Sequence, residues 1–364
     1  MAGNTAAAMS EFAAARQLGQ TMKSADAVRC ASEREALIHA ARGSLEEARR
    51  SLELADSVES ASDAFREASN STSDCAKALL AVLAFENNVE DKLQRLKPLD
   101  AVDVAWPFIL LARTNYDLSH QQPHAALEAV TIAMAAHYLD PHSLAYDIAN
   151  AKRIEAYTLL GNTDQAAHLA AACTQVGTYT KLAVIRLAIC RSQFDRAAQL
   201  ANPLTTDESL SPHHRAELTL LTTWAEFIRL GKVTTDSAYL VAACIQRNNR
   251  QLLCGFPRSY YDDVFSRIPE SEQLRCRKVL EGLPLRRPLQ RKPELTKAEH
   301  RVLEQLAQGT KQTEIARELG LSLNTVKTQL RLLYRKLDAS SRQEALIVAR
   351  RHGFLLHAAE EEAK

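Results

Sequence analysis

Apolar positions return every three or four residues along most of this 364-residue chain, the period of a helix with one buried face. In HSLAYDIANAKRIEAYTLLG, Leu144, Ile148, Ala151, Ile154 and Tyr157 fall near one side, and Gly161 can end the helix in a left-handed turn. The turn recurs. Gly43, Gly161 and Ser192 each stand five positions before an alanine (Ala48, Ala166 and Ala197), whose small side chain lets the second helix of a pair approach the first. Gly231 ends another such helix, so successive turns at 161, 192 and 231 are 31 and 39 residues apart. Helix pairs repeating every 30–40 residues or so predict a stacked helical-repeat domain over residues 27–282, with an open concave face suited to a peptide, a protein segment or a small effector. An irregular helical bundle is the alternative. Residues 1–26 read as a flexible or helical N-terminal extension.

The pattern tightens after residue 293. Thr296 and Glu299 have capping-box spacing, and Val302, Leu303 and Leu306 form an apolar face ending at Gly309. Thr310 is expected to cap a second helix with Ile315, Ala316 and Leu319 inward, which Gly320 stops; Leu321 alone separates it from the next cap, Ser322. Helix, glycine turn, helix is the sequence form of a helix-turn-helix. In the third helix Val326, Leu330, Leu333 and Leu337 make a buried stripe. Asn324, Lys327, Thr328, Arg331 and Arg335 occupy the outward side, with no carboxylate before Asp338. Ser341 and Glu344 open a fourth helix expected to end at Gly353. Ahead of this module, Pro284, Pro288 and Pro293 stand among Arg286, Arg287, Arg291 and Lys292, which predicts a semi-extended basic linker over 283–293, either a solvated spacer or an aid to phosphate binding. The helix-turn-helix module is placed at 294–358 and an acidic tail at 359–364.

These residues resemble known families. The turn in RSQFDRAAQLA is similar to that of tetratricopeptide repeats, although most repeats lack the family's aromatic positions and Trp106 and Trp224 are the only tryptophans. The C-terminal order is closer to a family pattern: Leu295, Thr296 and Glu299; Leu306 and Gly309; Glu314, Ile315, Ala316 and Leu319; Ser322, Thr325, Val326 and Lys327; Lys336 and Leu337; Ser341, Arg342, Glu344 and Ala345. It resembles the LuxR-type, also called GerE- or NarL-type, DNA-binding domain. Lys311 and Gln329 depart from it, standing where the family often has Ser and His. The resemblance implies an all-α chain, a tetratricopeptide-like helical-repeat domain followed by a four-helix helix-turn-helix domain, whose third helix enters the major groove of double-stranded DNA. Lys327, Thr328 and Arg331 would then face base edges, with Asn324, Thr325 and Arg335 nearer the phosphates. Backbone amides near Thr310, Lys311 and Ser322 would hold phosphate. It also implies a homodimer through the fourth helix on an inverted repeat, and possible contact with RNA polymerase. The order of repeats before such a domain is similar to the C-terminal half of MalT-like regulators, which implies a short form without their ATPase half.

Composition and charge narrow the function. Gly and Pro number 11 each, about half the usual share, which disfavours a fold of short strands and tight turns. From Arg286 to Leu355 there are 15 Lys and Arg against 7 Asp and Glu, a net of +8 within a chain of net +1, so the basic module is masked by an acidic remainder. The longest apolar run, Val104–Ala112, is nine residues, well short of the ~20 that span a bilayer, and the alanine-rich start lacks the form of a secretion signal. A bacterial cytoplasmic location follows as an expectation. Seven cysteines without a CxxC pair read as buried, reduced thiols, with a redox sensor as the alternative. No phosphoacceptor receiver is legible, because Asp262 and Asp263 come late, and Gly231-Lys232 lacks the earlier glycine of a phosphate-binding loop. His120/His124 and His137/His142 are interrupted by Pro123 and Pro141, so no metal site is expected; His213 and His214 look like capping or surface residues. No enzyme and no cofactor are inferred. The leading expectation is a transcriptional regulator whose repeat domain senses an effector or partner; the alternative is a scaffold or antagonist using its helix-turn-helix for self-association.

Overall fold

Left-handed turns set the course of the chain. The computed structural model describes residues 5–59, 63–173, 176–247, 249–287, 295–337, 339, 341–351 and 354–355, and these are helical with no strand beyond one isolated bridge. The chain divides into two compact units, residues 1–159 with 166–288 and residues 160–165 with 289–364. The helices up to the linker are α1 (Thr5–Thr21), α2 (Ala25–Ala41), α3 (Leu45–Asp56), α4 (Asp63–Ala84), α5 (Val89–Gln94), α6 (Trp106–Ser119), α7 (Pro123–Ala136) and α8 (Leu144–Leu159). They continue with α9 (Thr163–Ala172), α10 (Thr178–Cys190), α11 (Phe194–Thr205), α12 (Pro212–Leu230), α13 (Thr235–Gln246), α14 (Arg250–Leu253), α15 (Arg258–Phe265) and α16 (Glu270–Leu280). After it come α17 (Lys297–Ala307), α18 (Gln312–Leu319), α19 (Leu323–Lys336) and α20 (Arg342–Arg351). None of the described helices is long and apolar enough to cross a membrane.

In the first unit α2, α4, α6, α8, α10 and α12 each pack on the next, while α3, α5, α7, α11 and α13 fold back on the helix before them. On α9, Ala166 packs against Ala151 and Ile154 of α8. The backbone has positive φ at Gly43, Gly161, Ser192 and Gly231, and also at Lys23, Phe85 and Gln121. Ala48, Ala126, Ala166 and Ala197, five positions after four of these turns, are buried. Gln121 therefore hides a repeat that a search for small turn residues passes over. The N-terminal extension is helical in α1, packed on α2 and tied to it by an Arg16–Glu35 ion pair at 2.9 Å.

The concave face expected from stacked pairs is not open. The ladder closes on itself: the His213 amide at the start of α12 donates to the Arg42 carbonyl at 3.0 Å, the Tyr179 hydroxyl reaches the Ala41 carbonyl at 3.4 Å, and α14 lies on α4 and α6. Polar groups also lie in the interior, several of them joined by hydrogen bonds or ion pairs. Asp147 accepts the amides of Tyr179 and Thr180, at 3.0 and 2.9 Å, and so caps α10 from a neighbouring helix in place of Gly177, whose position has no room for a Cβ. Arg186 pairs with Glu217 at 3.0 Å, donates to the Gly255 carbonyl and lies over the Phe256 ring. Burial raises the Glu217 carboxyl, but Arg186, His213 and Lys152 outweigh it and hold the group below its ordinary value.

The linker and the paired histidines differ from expectation. Leu283 and Arg286 are buried; the Arg286 amide donates to the Cys254 carbonyl at 2.9 Å and its guanidinium lies 5.6 Å from the Trp224 ring centre. Residues 283–286 thus pack as part of the repeat unit, and the Arg286 charge is turned toward an aromatic face instead of solvent. Pro288, Arg291, Lys292 and Pro293 lie outside the described residues, as do 1–4 and the acidic tail 359–364. Four cysteines (Cys75, Cys244, Cys254 and Cys276) are buried and the other three half-buried, all as free thiols. His213 and His214 are interior, where curling of the array brings the start of α12 onto the α2–α3 turn.

Both histidines are held neutral. Burial lowers His213 to about 4; burial and then the neighbouring His213 lower His214 to about 3. An unfolded histidine titrates near ~6.5, so the unfolded chain takes up protons first as pH falls, and each buried histidine withdraws about 2 kcal/mol of stability by about pH 5. Thermal unfolding of the full chain is expected to drop in midpoint between pH 7 and 5. His214→Phe, which removes a ring nitrogen that has no hydrogen-bond partner, is expected to flatten that drop. Identical pH profiles for wild type and variant contradict this account.

Candidate nucleic-acid interface

Each of the four helices after the linker is started by a side chain, and α17 and α18 are each followed by a left-handed glycine. Thr296 accepts the Glu299 amide at 3.3 Å while the Glu299 carboxylate accepts the Thr296 amide at 2.7 Å, the reciprocal capping expected from their spacing. Gly309 has φ +88° and ends the turn after α17. The second helix is capped one residue later than expected, at Lys311, whose amide donates to the Glu314 carboxylate at 3.2 Å; the Thr310 hydroxyl instead turns back to the Gln305 side chain. A carboxylate three positions into the helix can reach back over Lys311, which moves the boundary. Gly320, at φ +64°, lets the Leu321 amide close on the Ala316 carbonyl at 2.8 Å, and Ser322 then caps α19 by accepting the Thr325 amide at 3.0 Å.

The core beneath these turns is the predicted one: Val302, Leu303, Leu306, Ile315, Ala316, Val326, Leu330, Leu333 and Leu337, joined by Ala345 and Ala349 of α20. Val326, Leu330, Leu333 and Leu337 follow at steps of four, three and four. Asn324, Thr328, Arg331 and Arg335 follow at the same steps two residues earlier, a rotation of about 200° at ~100° per residue, and so lie opposite the buried stripe. All four are exposed, with Lys327 exposed on the flank one turn from Arg331. Lys327, Arg331 and Arg335 have no carboxylate partner among the described residues; Asp338 lies outside them. Thr325 and Ser322 share a hydroxyl hydrogen bond at 2.8 Å, and the Thr328 hydroxyl donates to the Asn324 carbonyl at 3.0 Å. Thr328 therefore offers its methyl and a lone pair outward rather than its proton. Of the nine residues singled out in the sequence, Thr310 alone is half-buried; Lys311, Ser322, Asn324, Thr325, Lys327, Thr328, Arg331 and Arg335 are exposed.

Three residues gain roles that periodicity does not reveal. The first turn of α19 holds no acid, and its first residue, Leu323, is 36% exposed, an apolar group beside the polar face. Lys336 ends α19 by donating to the Glu299 carboxylate at 2.7 Å, and Arg342 at the start of α20 donates to the Leu306 carbonyl at 2.7 Å, near the end of α17. Burial works to raise the Glu299 carboxyl; the Lys336 ammonium and the Thr296 amide and hydroxyl overcome it and hold the group below its ordinary value. One carboxylate thus starts α17 and fixes the far end of α19. Glu299→Gln is expected to cost about 1–3 kcal/mol in urea unfolding at pH 7, and Lys336→Met less, because the ammonium is partly exposed. A depressed carboxyl contributes above its unfolded value, so the wild-type advantage should shrink as pH falls below about 4. Equal stability of wild type and Glu299→Gln at pH 7 contradicts the anchor.

Comparison with known proteins agrees with this geometry. The family GerE, "Bacterial regulatory proteins, luxR family", matches residues 293–349. The transcriptional regulatory protein YdfI of Bacillus subtilis (strain 168) is 45% identical over 62 residues, which are 17% of this chain and 29% of that protein. The chain thus spans less than a third of this relative's length. No solved structure matches the chain. With four capped helices around one core, a glycine turn between the second and third, and the family match over the same segment, residues 293–349 form a helix-turn-helix domain of the luxR family of bacterial regulatory proteins.

Proposed function

We propose that this protein is a sequence-specific regulator of transcription, in which α19 reads double-stranded DNA and the helical-repeat unit receives an effector or a protein partner. The carrying observation is the outward stripe of α19, cationic and neutral polar without a carboxylate, opposite a buried leucine stripe. A rod of that kind fits the major groove, about 12 Å wide. Arg331 is assigned to a guanine edge through O6 and N7, and Lys327 to a neighbouring acceptor as a flexible point charge. Thr328, its proton engaged by the helix, suits a thymine methyl or an exocyclic amine donor. Asn324, Thr325 and Arg335 are assigned to phosphates.

The helix starts supply the register. The positive end of α19 at Ser322 is uncompensated by any first-turn acid, which favours a phosphate there. At α18 the Lys311 amide is taken by Glu314, so a phosphate would meet the next first-turn amides and the Lys311 ammonium, with Thr310 alongside. A twofold dimer through α20 suits an inverted-repeat site, from which the protein can meet RNA polymerase.

Arg331→Ala and Lys327→Ala are each expected to weaken operator binding tenfold or more in fluorescence-anisotropy titrations, with Arg331→Ala also relaxing preference at one base position. Wild-type affinity is expected to fall by orders of magnitude between about 50 and 200 mM salt, because phosphate contacts release counterions. Unchanged affinity in both variants refutes the assignment. A flat salt response with tight protein binding supports a scaffold instead.

A further inference from the structure

The closed interior of the repeat unit leaves the question of where a small effector would sit. A solvent-open cavity of about 510 Å³ lies between α5, α6 and α7, within the range of about 300–1,000 Å³ typical of small-molecule clefts. Two residues on its α6 wall, Arg113 and Asp117, have the four-residue spacing at which opposite charges ordinarily pair. They form no ion pair here. The Arg113 guanidinium turns its Nη2 toward the carbonyls of Leu96 and Lys97, at 3.4 and 3.5 Å, and its buried Nε has no partner. The Asp117 carboxylate has no hydrogen-bond partner among the described residues, and burial pushes it up to about 6 against the lowering pull of Arg113. A buried donor and a half-buried carboxylate left unpaired on one wall are costly in an isolated fold, and a ligand carrying the complementary charges removes that cost.

The rest of the lining sets the ligand's character. Glu90 lines the cavity from α5, held by the Tyr116 hydroxyl at 2.6 Å, and Glu128 lines it from α7, so three acidic residues and one arginine border it. Leu93 and Leu99 supply an apolar surface beside them. We propose that this cavity binds a basic α-amino acid: its carboxylate on Arg113, its α-ammonium on Asp117, its hydrocarbon stem along the leucines and its terminal cation between Glu90 and Glu128. The proposal deepens, and rests on, the reading of the repeat unit as a receiver of signals. It is tested without DNA, so its failure leaves the assignment of α19 untouched.

The experiment is isothermal titration of the full chain with L-lysine and L-arginine, with L-leucine, L-glutamate, cadaverine and agmatine as comparisons. A saturable isotherm is expected for at least one basic amino acid. Binding at least tenfold weaker is expected for leucine, which lacks the terminal cation, and for cadaverine and agmatine, which lack the carboxylate; glutamate is expected not to bind. Asp117→Asn and Arg113→Gln should each weaken the basic amino acid tenfold or more. Glu128→Gln, at an exposed position, should weaken it several-fold and supplies the readout if either α6 variant fails to fold. No saturable heat with either basic amino acid up to about 10 mM, equal binding of leucine, or affinity unchanged in the folded variants overturns the proposal.

Discussion

Residues two apart on a helix point in nearly opposite directions, and in α19 this constraint governs the second unit. Burying Val326, Leu330, Leu333 and Leu337 forces Asn324, Thr328, Arg331 and Arg335 outward, so the same packing that stabilises the domain presents its cationic face. The face has a definite position because both ends of the helix are fixed. Ser322 caps one end, and Lys336 is held at the other by Glu299, which also starts α17. Lys336 is engaged by that carboxylate, while Lys327, Arg331 and Arg335 stay exposed with no carboxylate partner among the described residues.

In the first unit the comparable constraint is the left-handed turn. A positive φ between paired helices reverses the chain in few residues, and buried alanines five positions after several of these turns let the partners approach closely. Repeated along the array, this geometry brings the start of α12 onto the α2–α3 turn, and the space a solenoid would leave for a partner is filled by Asp147, Arg186, Glu217, His213 and His214. Burial in such an interior holds His213 and His214 neutral. The cavity between α5, α6 and α7 lies apart from that set, where Arg113 and Asp117 are not paired with each other.

Much of the second unit was legible in the sequence because its signals are local. Capping boxes span three residues, the glycine stop needs one, and a stripe repeats within a turn, so Thr296, Glu299, Gly320, Ser322 and the buried leucines could all be placed from the chain alone. The one-residue shift of the α18 cap from Thr310 to Lys311 arose because the Glu314 carboxylate competes for the amide, a choice between two local options. The repeat at Gln121 is not legible in the sequence, because a glutamine holds the left-handed conformation there without the glycine that would mark it.

The sequence by itself thus determined the helical class, the two-part organisation of the helix-turn-helix module into buried and outward stripes, and the sign of the charge on α19, since all three follow from spacings of a few residues. Tertiary structure alone decided that the array closes, that His213, His214 and Arg286 are interior, that Lys336 anchors Glu299, and that Arg113 and Asp117 share a cavity wall without pairing. The physical reason is range. Caps and periodicity are written within one helix, whereas burial of a charge depends on residues brought together from 17 to 171 positions away, and no local pattern records that meeting.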